Sequence, residues 1–296
     1  MRDHGRYPYA PITERRHYAW PDGRRLAFYL GVNLEHFSFG EGLGAELAPG
    51  GPPPDVLNYA WRDYGNRVGV WRLLELLDDL RLPTTALVNS AMYDHAPAVV
   101  SAFRARGDEI AGHGRTNAER QSAFDEPGER ALIEEATARI VAEEGRPPAG
   151  WLGPWIAESH ATPDLLQEAG YRYLLDWCHD DQPTWLRTRE GRILSVPYPQ
   201  ELNDIPAVVA RKVGASEFAD MIVDQFDEMA AQAEHEPLVM GIALHTYIVG
   251  QPFRLRQLRR ALCHVLSGAE GAALWPTTAG AIADHVLALP EETVPG

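Results

Sequence analysis

Cysteine is scarce: Cys178 and Cys263 are the only two in 296 residues, far apart and outside any CxxC spacing. A small secreted fold stapled by disulfides carries more, so two free thiols in a reducing cytoplasm are expected. Basic residues are also outnumbered, with 27 Lys and Arg against 42 Asp and Glu and a formal charge of −15. Proteins that track phosphate need a basic face, which argues against nucleic acid and against an anionic membrane as partner. An acidic surface on its own signals only solubility. No stretch approaches ~18 uninterrupted apolar residues, so no membrane-spanning helix is expected. The opening MRDHGRYPYAPITERRHYAWPDG has no apolar centre of the kind an export signal needs. A cytoplasmic protein is therefore expected, which weighs against a cell-wall polymer as substrate. A GxSxG elbow, a P-loop and a GxGxxG after a strand are all missing. A cysteine nucleophile is not expected, and His179 and His264, which follow the two cysteines, are given no role.

What is present is a repeated strand–helix alternation. Residues 25–32 (RLAFYLGV) form a continuous apolar run, the pattern of a strand buried on both faces. Apolar positions 70, 73, 74, 77 and 80 then fall at helical spacing. Strand and helix patterns follow in turn: 84–88, 97–106, 109–111, 129–144, 163–169, 173–176, 193–196, 215–234, 238–244, 255–266, 273–275 and 278–289. About seven β-α units without a linker or internal repeat predict a parallel sheet with helices outside, either closed into a barrel or open. The length suits a single α/β barrel of about 250 residues. Residues 1–24 are polar, aromatic and Pro-rich, and are expected to form an arm over the body or a neighbouring subunit. Residues 36–67, rich in Gly and Pro, are expected to be a long loop able to cover a pocket. The expected division is an arm, 1–24, and one hydrolase barrel, 25–296.

Active sites of such barrels lie at the carboxyl ends of the strands. That rule selects Asn33 and Glu35, His113, Asp176 and His245, each directly after an apolar strand run. The spacing Asn33-x-Glu35 sends both side chains to one side of an extended chain. His113 and Asn117 are four apart, close enough to converge on one atom.

The segments VNLE (32–35), EIAGHGRTN (109–117), GWLGPW (150–155), YLLDWCHDDQP (173–183), VPYPQELND (196–204) and LHTYIVGQPFR (244–254) together resemble the polysaccharide deacetylase (NodB-homology) family. More closely the set is similar to the branch holding cofactor-independent allantoinase and bacterial cyclic-imide hydrolases. The resemblance implies a distorted (β/α) barrel and amide hydrolysis. In the deacetylase members an Asp acts as base, a second Asp and an H-x-x-x-H pair hold a divalent metal, and a later His acts as acid. Here the base position is Asn33, the metal-binding Asp corresponds to Glu35, the first His to His113, the second to Asn117, and the late acid to His245. Asn33 cannot accept a proton at neutral pH, and Asn117 is a weak neutral oxygen donor.

Two readings of the site follow. In one, Glu35, His113 and Asn117 keep a divalent ion, zinc before others, although zinc prefers stronger ligands. In the other there is no cofactor and Glu35 is the general base. His245 then protonates the leaving nitrogen, with backbone N–H groups or Arg115 as oxyanion donors. Asn33, Arg115, Asn117, Trp155, Asp181 and Trp185 are the candidates for substrate contacts. The expected activity is opening of a small cyclic amide, an imide or a ureide, and GHGRTN inclines toward the imide by resemblance. The alternatives are an N-deacetylase of a small acetylated amine or aminosugar, and a non-catalytic carbohydrate- or metabolite-binding relative. The arm and loop suggest a homo-oligomer, a dimer or tetramer.

Overall fold

The computed structural model describes residues 4–296, so the first three residues of the expected arm lie outside the described residues. Within it the strands are β1 (Leu26–Leu34), β2 (Thr85–Val88), β3 (Glu109–Gly112), β4 (Gly150–Trp151), β5 (Tyr173–Leu174), β6 (Thr184–Thr188), β7 (Gly191–Ser195), β8 (Leu238–His245) and β9 (Leu274–Thr277). The helices are α1 (Val56–Tyr64), α2 (Val70–Leu80), α3 (Met92–His95), α4 (Pro97–Arg106), α5 (Glu126–Glu144), α6 (Thr162–Glu168), α7 (Ala215–Gln232), α8 (Thr246–Val249), α9 (Pro252–Ser267) and α10 (Ala279–Ala288).

The strands form one curled sheet in the order β6-β7-β5-β4-β3-β2-β1-β8, with β9 also pairing β1. The β6–β7 pairing is antiparallel and the others are parallel. β1 is buried along its whole length, as its apolar run predicts, and its alternation builds two cores. Phe28, Leu30, Val32 and Leu34 join the layer that also holds Leu73, Ile222 and Leu262 from α2, α7 and α9. Ala27 and Tyr29 face inward with Leu87, Ala111, Leu152 and Tyr198. Period two therefore carries Asn33, and then Glu35, to the inner side.

β8 and the β6–β7 edge do not pair with one another. Residues 196–204 fill the seam: Ala243 N–H donates to Leu202 C=O at 3.0 Å, and Asn203 forms an isolated parallel bridge with Ala243. Val239 N–H donates to Asp181 C=O at 2.9 Å. This patching by irregular chain makes it a distorted barrel, the fold class expected from the sequence.

Three local expectations change. Only 36–55 of the expected long loop is irregular. Asp55 caps α1, its side chain accepting from Asn58 N–H at 3.1 Å, and α1 runs through a π-turn at Gly65–Gly69 into α2. The Gly/Pro run before the cap masks this helix. α5 begins at Glu126 rather than 129, because Asp125 caps it and Pro127 suits its first turn. β6 is an additional strand whose segment TWLRT is too short and only half apolar, so it shows no strand period in the sequence.

The arm lies on its own barrel. Arg6 pairs with Asp164 at 2.7 Å, Arg15 holds Asp180 through two bonds, and Trp20 is buried with its Nε1–H on Leu238 C=O at 3.0 Å. Among the described residues no helix is long and apolar enough to cross a membrane.

Candidate active site

β1 and β8 are adjacent with Asn33 opposite His245, and β3 delivers His113 at its carboxyl end. Beyond these ends lies a cavity of about 250 Å³, lined among others by Asn33, Glu35, His113, Asn117, Tyr198 and His245. Its walls are apolar: Phe37 and Ala45 come from the segment before α1, Leu152, Trp155 and Ile156 from the turn after β4, and Ile205 and Pro206 from the turn that follows the seam. No Lys or Arg lines it among the described residues.

Glu35 is the centre. Its Oε1 receives Asn117 Nδ2 at 2.5 Å and faces the Nε2 atoms of His113 and His245, each at 3.4 Å. Its Oε2 receives the Tyr247 hydroxyl at 2.9 Å. Burial favours the neutral acid, but the His245 charge and the hydrogen bonds outweigh it and hold the carboxyl well below the usual carboxylate range. Glu35 is therefore an anion.

His245 stands between two carboxylates. Its Nδ1 lies 2.6 Å from Asp204 Oδ1, and its backbone N–H donates to Asp204 Oδ2 at 2.8 Å. Burial opposes the imidazolium, yet Glu35 and Asp204 overcome it and push the pKa up to about 10. His245 thus carries a proton at neutral pH, with Nε2–H directed at Glu35 and the cavity. His113 is fixed differently. Its Nδ1 is 2.8 Å from Leu152 C=O, which can only accept, so Nδ1 bears hydrogen and Nε2 faces the site.

The amide orientations follow from groups with one possible role. His36 N–H can only donate, and it reaches Asn89 Oδ1 at 2.9 Å. The Asn89 amino group therefore faces Asn117 Oδ1, at 2.9 Å, and Asn117 must turn its amino group to Glu35. This tests the expected metal set. Asn117 offers Glu35 a donor while Asn89 takes its oxygen, and among the described residues no group of three His, Cys, Asp or Glu is arranged to hold a metal ion. Glu35, His113 and Asn117 do not fit a zinc centre.

Asn33 and Trp155 line the same cavity, the latter with Nε1–H on Asn117 C=O at 3.0 Å. Trp155 and Ile156 hold φ values of 66° and 51°, a left-handed pair of bulky residues at the rim and a form of strain that concentrates at functional sites. Three expected contact residues lie elsewhere. Arg115 is occupied by Glu119 at 2.9 Å and Glu135 at 2.6 Å, outside the cavity. Asp181 borders a separate surface cavity beside the arm, because its carbonyl is used in the seam. Trp185 is on β6, at the far edge of the sheet, under the Arg192 guanidinium at 4.1 Å. Asp176 lies two residues beyond β5, which ends at Leu174 rather than at 176, and it is buried outside the cavity lining, with Oδ1 accepting Gly153 N–H at 2.7 Å. Asp204, Tyr198 and Tyr247 escape the strand-end rule, whereas Asn89 directly follows β2 and is a strand-end residue that the sequence reading passes over. VPYPQELND contains two of them, and HTY places Tyr247 two residues after His245, but neither pattern announces a partner.

Residues 56–174 match the polysaccharide deacetylase family model. A Schizosaccharomyces pombe protein with the provisional name polysaccharide deacetylase is 27% identical over 281 residues, covering 84% of this chain and 87% of the relative. The crystal structure of a probable polysaccharide deacetylase from Pseudomonas aeruginosa PAO1 is similar with a TM-score of 0.81 and 27% identity, over 94% of this chain and 97% of that one. The structure of the Puue allantoinase is similar with a TM-score of 0.82 and 26% identity, over the same shares of 94% and 97%. Residues 56–174 are thus similar to the polysaccharide deacetylase model, and the chain shares its fold with these two proteins over 94% of its length.

Proposed function

We propose that the chain is a hydrolase of C–N bonds that opens a small cyclic amide, an imide or a ureide, with Glu35 as base and His245 as acid. One observation carries this reading: the carboxylate Glu35 and the proton-bearing His245, backed by Asp204, meet 3.4 Å apart in one apolar-walled cavity. The likeness to the Puue allantoinase supports it, as does the deacetylase family match. A cavity of about 250 Å³ walled by three segments suits a small ring better than a polymer, and a lining without Lys or Arg among the described residues suits an uncharged one.

Water beside Glu35 adds to a ring carbonyl, giving one proton to the carboxylate. The tetrahedral intermediate collapses, the C–N bond breaks, and His245 Nε2 gives its proton to the departing nitrogen. The products are a carboxylic acid and an amide or urea group on one opened chain. The two proton movements help each other. The His245 charge is a major influence holding Glu35 acidic, so Glu35 becomes a stronger base as His245 gives up its proton. Afterwards the proton on Glu35 returns to Nε2 across the same short gap.

The test is ring opening of succinimide, phthalimide, dihydrouracil, hydantoin and allantoin before and after chelation, with metal content read on the same sample. Turnover that survives chelation is expected. Loss on chelation with recovery on adding a divalent ion overturns the metal-free form, and no turnover of any ring overturns the substrate class. Release of acetate from N-acetylated amines by a protein inert toward rings would transfer the same machinery to the deacetylase reading.

A further inference from the structure

Asn33 Nδ2 lies 3.3 Å from the Leu244 carbonyl oxygen and 3.1 Å from the Tyr198 hydroxyl. The carbonyl can only accept, so this end of the Asn33 side chain is the amino group. Tyr198 therefore receives a hydrogen bond from Asn33, and its own hydrogen is not used there. Among the described residues no other group accepts that hydrogen. The hydroxyl belongs to a residue that lines the cavity and is only 3% exposed.

Apart from the side-chain amides of Gln200 and Asn203, which also line the cavity, its neutral side-chain donors are committed. Tyr247 O–H is on Glu35, Trp155 Nε1–H on Asn117 C=O, and His113 Nδ1–H on Leu152 C=O. Arg115, the side chain expected to stabilise an oxyanion, is bound to Glu119 and Glu135. The Tyr198 ring is also firmly placed. It lies against Gly31 of β1, where a Cβ would stand 3.1 Å from its Cε2, and the preceding carbonyl of Pro197 is tied to the Tyr29 hydroxyl at 2.6 Å.

We infer that the Tyr198 hydroxyl is the donor that takes up negative charge on the carbonyl oxygen as water adds, an inference that rests on the hydrolase reading above. As the water oxygen bonds to the carbonyl carbon, the C=O electron pair moves onto oxygen, and the water proton goes to Glu35. The phenol hydrogen bonds to that oxygen without being transferred. When the intermediate collapses, the pair returns, the C–N bond breaks and His245 protonates the nitrogen. Asn33, placed where the family's deacetylases hold a base, then serves to orient this phenol. Such a donor is worth most when charge has developed, so its removal lowers kcat more than it raises KM.

The experiment compares wild type, Tyr198→Phe and a protein with 3-fluorotyrosine at position 198, on whichever cyclic amide the wild type opens. Tyr198→Phe is expected to lower kcat by about 10²–10³ with KM changed little, and to melt within a few degrees of wild type. The fluorinated phenol, a stronger donor, is expected to raise kcat above wild type. Burial holds the Tyr198 phenol well above the ordinary tyrosine range, so the fluorinated ring keeps its hydrogen at neutral pH. An unchanged kcat in Tyr198→Phe overturns the role. A loss of kcat that comes with a large fall in melting temperature and no response to fluorination also overturns it, in favour of a structural hydroxyl. A wild type inert toward every ring overturns the hydrolase reading itself, and this role with it.

Discussion

His245 is held as a cation by two carboxylates, and this sets the expected pH behaviour. An acid must be protonated to act, so kcat/KM is expected to fall as pH rises through about 10 and to stay level below that through neutrality. Asp204→Asn removes one of the two anions, so the downturn moves to lower pH; an unchanged profile would count against the pairing. Glu35→Gln and His245→Gln are each expected to lower kcat by about 10²–10⁴, measured by ring opening. Asp176 gives a separate test. Burial raises its pKa from 3.8 to about 7, against the pull of the Gly153 N–H. A raised pKa contributes stability that is fully present below the ordinary value and lost as pH rises through the folded one. Asp176→Asn keeps an oxygen for Gly153 and removes this loss, so its melting temperature should gain on wild type between pH 5 and pH 8. At this scale the sequence is informative where a side chain follows a strand directly. Asn33, Glu35, His113 and His245 reach one cavity because parallel strands end on one side. Asp204 arrives by a contact spanning 41 residues, which no local spacing announces, and Arg115 is withdrawn by neighbours that the sequence does not mark as partners.

Among the elements, the longer strands and helices are legible because their apolar periods are unbroken, whereas the two-residue β4 is not. Nor are α1 and β6: one begins behind a Gly/Pro run and the other is five half-apolar residues. α1 owes its start to Asp55, so Asp55→Ala should cost about 1 kcal/mol, readable by denaturant unfolding. The π-turn joining α1 to α2 passes close to the segment after β8. A Cβ on Gly250 would meet the Cα of Gly69 and the carbonyl oxygen of Thr246, so the crossing depends on both glycines. Gly250→Ala is expected to destabilise by about 1–3 kcal/mol, the usual cost of overpacking. Because Tyr247 is on this crossing, kcat should fall as well; a variant with wild-type melting and wild-type kcat would count against the crossing.

For the whole molecule, the α/β alternation implies a parallel sheet, closed or open; the barrel rests on the length and the family resemblance, and neither tells how its edges meet. The arm, read as covering the body or a neighbouring subunit, packs on its own barrel through Arg6, Arg15 and Trp20. The expected dimer or tetramer therefore calls for another surface, and Phe39, Val56 and Leu57 are exposed at 52%, 59% and 59%. Sedimentation equilibrium at micromolar concentration is expected to give a multiple of 32.9 kDa, reduced by Leu57→Asp; a 32.9 kDa species would refute self-association.

The seam has a consequence for how activity is lost. Residues 196–204 are both the last plank of the barrel and the carrier of Tyr198 and Asp204. A molecule in which this plank lifts keeps Glu35, His113 and the β1–β8 ladder, yet loses the partner of its acid and its phenol in one movement. Closure and competence are then the same event, so mild denaturant should silence the chemistry before the helices melt. Amide exchange at Ala243, the hydrogen that fastens the plank at Leu202, should accelerate in step with that silence.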